Sequence, residues 1–109
     1  MDLNAYQSAA EQTAIYPGQG SDDGITYTIL GLIGEAGELA NKWKKYFRDD
    51  IPLDEILKLM GPELGDVLWY AANLASELGY TLEEVGQANL DKLEKRATTG
   101  ALHGSGDAR

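Results

Sequence analysis

Two acidic pairs carry the chemistry open to this chain: Glu35 with Glu38, and Glu63 with Asp66, each three residues apart. On an α-helix that spacing sets both carboxylates on one side, a turn apart. Spacing alone says little, because 18 acids in 109 residues give about three such pairs by chance. The chain has three, the last being Asp91 with Glu94. Context separates the first two pairs from the third. Glu35, Glu38, Lys42 and Lys45 form one stripe at the helical period beside an apolar face. Glu63, Asp66, Tyr70 and Asn73 form a matching stripe on a later segment. Packing of the two apolar faces brings the two polar stripes together.

Four converging carboxylates repel one another, by about 4 kcal/mol per pair at roughly 4 Å and an effective dielectric of about 20. A divalent cation removes the conflict. An all-oxygen donor set suits Mg²⁺, with Mn²⁺ as a substitute. A di-iron bundle of the ferritin kind needs Glu-x-x-His pairs, and the single histidine, His103, lies in the tail. Lys42, Lys44, Lys45 and Arg48 follow Glu38, and Lys92, Lys95 and Arg96 cluster later. Positive charge beside a metal suits a polyphosphate ligand. The same residues also read as an ordinary Glu38–Lys42 helix pair and as cations favoured near helix C-termini. Gly31, Gly34 and Gly37 surround the first acidic pair at ~1 kcal/mol each relative to alanine. Three such breaches point to close approach by a backbone or a ligand.

The elements that must position these groups are helical. A first amphipathic segment runs from Asp2 to about Ile15 and stops at Tyr16-Pro17-Gly18-Gln19-Gly20. Ser21, Asp22 and Asp23 offer N-caps for the next helix, which the stripe Ile25, Ile29, Leu32, Ile33, Ala36, Leu39, Ala40, Trp43 and Phe47 carries to residue 47. Arg48 to Pro52 breaks it, and Gly61-Pro62 is expected to interrupt the segment that follows. Leu64, Val67, Leu68, Ala71, Leu74, Ala75 and Leu78 form a second stripe, closed by Gly79. Thr81-Leu82-Glu83-Glu84 reads as a capping box opening a last helix to about Ala97. The prediction is an all-α bundle of four main helices, with a possible short extra one over 52–62. Trp43 is expected in the core. Trp69 is expected either in packing or at a subunit interface that forms a base pocket.

One domain over 1–97 is expected, followed by a Gly-rich tail over 98–109 that is a flexible end or a lid, with Arg109 reaching phosphates. The net charge of −9 and pI near 4.4 argue against a nucleic-acid polymer or an anionic membrane as partner. The absence of cysteine removes disulfides, thiolate metal sites and a cysteine nucleophile. Neither a signal peptide nor a membrane span is legible, so a cytoplasmic location is expected. A subunit this small cannot both build a core and enclose a nucleotide. A homo-oligomer follows, either a dimer or a tetramer built as a dimer of dimers, with sites completed by neighbouring chains.

The segment Gly31-Leu32-Ile33-Gly34-Glu35-Ala36-Gly37-Glu38-Leu39-Ala40-Asn41-Lys42, followed by Glu63-Leu64-Gly65-Asp66-Val67-Leu68-Trp69-Tyr70, resembles the MazG-like nucleoside triphosphate pyrophosphohydrolases. Tyr16-Pro17, Asn89, Lys92 and Arg96 extend the likeness over most of the chain. The resemblance implies an all-α, Mg²⁺-dependent enzyme that splits (deoxy)nucleoside triphosphates into the monophosphate and pyrophosphate. It implies that Glu35, Glu38, Glu63 and Asp66 hold the metal, with Glu35 or Glu38 as proton acceptor. Lys42, Lys45, Lys92 and Arg96 would then contact phosphates, Asn89 phosphate or sugar, and Tyr70 and Asn73 the nucleotide. Gly34 departs from the family pattern, standing where its motif has a first glutamate. A purine substrate such as dGTP or GTP is the expectation. A phosphoribosyl-ATP pyrophosphohydrolase-like enzyme is the alternative within this chemistry, and a non-catalytic helical interaction module is the alternative outside it.

Overall fold

The computed structural model describes residues 1–100. Within them the chain forms four α-helices and no strand: α1 (Leu3–Glu11), α2 (Asp22–Arg48), α3 (Leu53–Glu77) and α4 (Leu82–Thr99). The all-α class and the four main helices match expectation. Boundaries follow local chemistry. Asp2 caps α1 by accepting the Ala5 N–H at 2.8 Å, and Thr81 caps α4 by accepting that of Glu84 at 3.0 Å. Gly79, at φ 82°, closes α3 in the left-handed region.

Three boundaries differ from the sequence reading. First, α1 ends at Glu11 rather than near Ile15, because Gln12, Thr13 and Ala14 tighten into bonds three residues back and the Thr13 hydroxyl donates to the Ala10 carbonyl. Second, α3 runs unbroken through Gly61-Pro62. Pro62 removes one backbone donor, yet its fixed φ is helical and the turns on either side continue the rod. Third, α4 reaches Thr99 before Gly100 stops it, so residues 98 and 99 belong to the helix. The lid reading of His103 to Arg109 lies outside the described residues.

Helices α2 and α3 pair antiparallel. Glu77 lies against Gly24, the Tyr70 ring lies against Gly31, and Asp66 meets Glu35. Each step forward along α2 is matched by an equal step back along α3. The buried core is a small cluster of Ala10, Ala72, Ala75 and Leu82, with Tyr6 and Trp69 packed against it. α1 and α4 pack on α3 and on each other, whereas α2 touches α3 alone. Gln7 fixes the α1–α4 junction: its amide donates to Ser76 Oγ and the Tyr80 carbonyl, and its oxygen accepts the Leu82 N–H at 2.7 Å.

The single-neighbour packing of α2 overturns part of the expected core. Ile29, Ile33 and Phe47 on α2, Leu64 and Leu68 on α3, and its C-cap Leu78 are exposed. Their stripe is wider than one neighbouring helix can cover. Trp43 is half-buried and stacks on Tyr46 at 4.9 Å, beside Phe47 and apart from the buried cluster. None of the four helices is long and apolar enough to cross a membrane.

Candidate active site

The register of α2 and α3 brings Glu35, Glu63 and Asp66 together. One carboxylate oxygen from each lies within 4.8 Å of the other two. Glu35 and Glu63 are half-buried and Asp66 is exposed, so the group opens to solvent on one side. Burial raises the Glu35 carboxyl above the usual glutamate range, and the negative charge of Asp66 adds to the shift. A hydrogen bond shared with Glu63, and the charges of Glu63 and Glu38, push the same way. Such crowding of acids is relieved by a divalent cation. The donors are all carboxylate oxygens, with no His among them, which fits Mg²⁺ or Mn²⁺.

Glu38 is the member of the expected quartet outside this group. It falls level with Glu63 in the α2–α3 register, but its carboxylate is exposed and is not among the converging three. Its charge is nonetheless near enough to act on Glu35.

Tyr70 sits between the helices. Its ring lies on bare α2 backbone at Gly31, where a Cβ would overlap it. Burial raises its hydroxyl pKa first, followed by Tyr27, with Glu35 and Asp66 contributing further. Asn73, expected at the nucleotide, is instead 1% exposed and donates to the Trp69 carbonyl of its own helix at 3.1 Å. A nucleotide cannot reach it in this arrangement. Trp69 packs within the chain: its indole N–H donates to Thr13 Oγ1 at 2.8 Å, and its ring meets Tyr16 and Tyr70 edge-on.

Lys42 and Lys45 are half-buried on α2, beyond the carboxylates. Asn89, Lys92 and Arg96 stand on α4, which does not touch α2. Asn89 and Lys92 line a groove of ≈ 540 Å³ with Tyr80, Glu84, Val85 and Ala88. Among the described residues, Arg96 Nε is the buried side-chain donor left without a hydrogen-bond partner.

Sequence reasoning missed the anchor at Glu77. Its carboxylate accepts the Tyr16 hydroxyl at 2.8 Å and the Gly20 N–H at 2.8 Å, pinning the loop before α2 to the end of α3. Burial, then the bond to Glu77, raises the Tyr16 hydroxyl pKa well above the usual range. Tyr16 stacks on Tyr27 at 4.9 Å, and Tyr27 meets Tyr70 at 6.4 Å. The signal was present, because Glu77 continues the stripe of Glu63, Asp66, Tyr70 and Asn73 by one more turn.

Two antiparallel helices thus bring three carboxylates to one solvent-open point that could hold a metal ion. The MazG nucleotide pyrophosphohydrolase domain matches residues 24–100, and the chain belongs to that family. It is 48% identical to the Gene 37 protein of Mycobacterium phage L5, over the whole of both chains. No solved structure matches it.

Proposed function

We propose that this chain is a Mg²⁺-dependent enzyme that hydrolyses (deoxy)nucleoside triphosphates to the monophosphate and pyrophosphate. The convergence of Glu35, Glu63 and Asp66 carries the reading. When bound there, Mg²⁺ or Mn²⁺ would supply Lewis-acid polarisation of the phosphates and lower the pKa of the attacking water. The protein residues do the rest. Glu35 from α2 and Glu63 and Asp66 from α3 would hold the cation between the two helices. Glu38, whose carboxylate is free of the group, accepts the proton of the water that attacks phosphorus. Lys42 and Lys45, further along α2, offset the charge of the departing pyrophosphate.

Lys92, Arg96 and Asn89 would enter from a second copy of the chain, since α4 packs on α1 and α3 and leaves α2, with Glu35, Lys42 and Lys45, uncovered. The exposed Ile29, Leu30 and Ile33 of α2 and Leu64 and Leu68 of α3 give that copy an apolar surface to cover.

Pyrophosphate release from a panel of canonical and damaged nucleoside triphosphates, with dGTP and phosphoribosyl-ATP included, tests the reaction. The expected result is Mg²⁺-dependent release, reduced at least 100-fold in Glu38→Gln while helical content and the Mg²⁺-induced rise in Tm persist. No release from any triphosphate with Mg²⁺ or Mn²⁺ present overturns the reading.

A further inference from the structure

We propose that Tyr70 is a positioning residue: its ring, seated on bare backbone at Gly31, sets the separation across which Glu35 faces Glu63 and Asp66. The inference rests on the metal-site reading above and adds the device that fixes the site's width.

Three observations carry it. A Cβ at residue 31 would overlap three atoms of the Tyr70 ring, so the ring occupies the place a side chain would take. The Gly31–Tyr70 contact is four residues from Glu35 on α2 and four residues from Asp66 on α3, in opposite directions. On antiparallel rods that is one turn, about 6 Å, from seat to carboxylates. The ring is also held from two sides: Trp69 meets it perpendicularly at 4.9 Å, and Tyr27 meets it at 6.4 Å. Tyr27 is in turn stacked on Tyr16, which Glu77 holds through the phenol. The ring is therefore braced by Gly31, Trp69 and Tyr27.

The neighbouring glycines provide the contrast. Gly34 and Gly37 have nothing within 4 Å of where a Cβ would stand. Of the three helix-interior glycines around the first acidic pair, only Gly31 is occupied by a facing side chain. Mg²⁺ binds its oxygens within a narrow range near 2.1 Å, so a shift of roughly 0.5 Å in helix separation alters coordination.

The test is calorimetric Mn²⁺ affinity and metal-free melting of the full chain for wild type, Gly31→Ala, Tyr70→Leu, Tyr70→Phe and the Gly31→Ala/Tyr70→Leu double variant. Gly31→Ala and Tyr70→Leu are each expected to weaken Mn²⁺ binding about tenfold or more. Tyr70→Phe keeps the ring and stays within about twofold of wild type. The double variant loses less than the two single losses combined, since leucine leaves room for the new Cβ. Wild-type affinity in Gly31→Ala, or single losses that simply multiply, would overturn the proposal. A wild type that binds no Mn²⁺ refutes the metal reading instead. The same variants then test the seat by melting, where additive losses overturn it and non-additive losses support it.

Discussion

Glu35 is the group whose environment most directly reports on the site. Burial and the neighbouring charges of Asp66 and Glu63 favour its protonated form in the folded chain. A raised folded-state pKa contributes stability that is complete below the unfolded value and is lost as pH rises through the folded one. Metal-free protein is therefore expected to melt at progressively lower temperature as pH climbs from the ordinary glutamate range through the raised value. Glu35→Gln flattens that fall, because the amide carries no charge to expel. Melts at stepped pH check this, and parallel profiles for the two proteins would contradict it. Added Mg²⁺ is expected to reverse the trend, since binding would need the deprotonated carboxylates. The meeting of Glu35, Glu63 and Asp66 was legible in the sequence because two polar stripes at the helical period flanked two apolar ones. The absence of Glu38 from that group and the burial of Asn73 were not. Both depend on the rotation of each helix about its axis, which a stripe fixes only to within its own width.

At the scale of elements, the site is held by the register of α2 against α3, and that register is pinned at its open end by Glu77. The carboxylate fills the space at Gly24, where a Cβ would also meet the Gly18 carbonyl, and it holds Tyr16 and the Gly20 N–H. Glu77→Ala leaves those donors without their partner. It is expected to cost about 2 kcal/mol, lowering Tm by roughly 10 °C, with Glu77→Gln losing less because its amide oxygen still accepts. Thermal melts of the two variants check the order, and an unchanged Tm in Glu77→Ala would contradict the anchoring role. Periodicity located the helices because apolar residues recur over many turns. It misjudged Gly61-Pro62, where the long α3 carries through a local break, and it could not tell which glycine was a seat. Gly31 differs from Gly34 and Gly37 only in what the other helix places opposite it.

At the scale of the whole molecule, the described chain is more extended than a compact domain. Its radius of gyration is 16.7 Å, against about 13 Å for a globular chain of this length. With α2 covered by α3 alone, leucines and isoleucines of both helices are left exposed. The account expects a dimer or a dimer of dimers in solution, with α4 of one copy serving the carboxylates of another. Sedimentation measures the mass directly, and an active monomer would contradict it. Leu64→Glu, on that face, is expected to shift the assembly toward monomer and to lower turnover with it. The expectation of a partner rests on chain length and the size of a nucleotide, whereas the exposed apolar face was hidden. The sequence pattern assigns both apolar stripes to the interior without saying whose interior it is.

The most direct measurement is anomalous diffraction from crystals of the protein grown with Mn²⁺. The account predicts an anomalous peak bounded by the carboxylates of Glu35, Glu63 and Asp66, and its loss in Asp66→Asn. Those three side chains turned apart toward solvent, with no peak between them at saturating Mn²⁺, would contradict it.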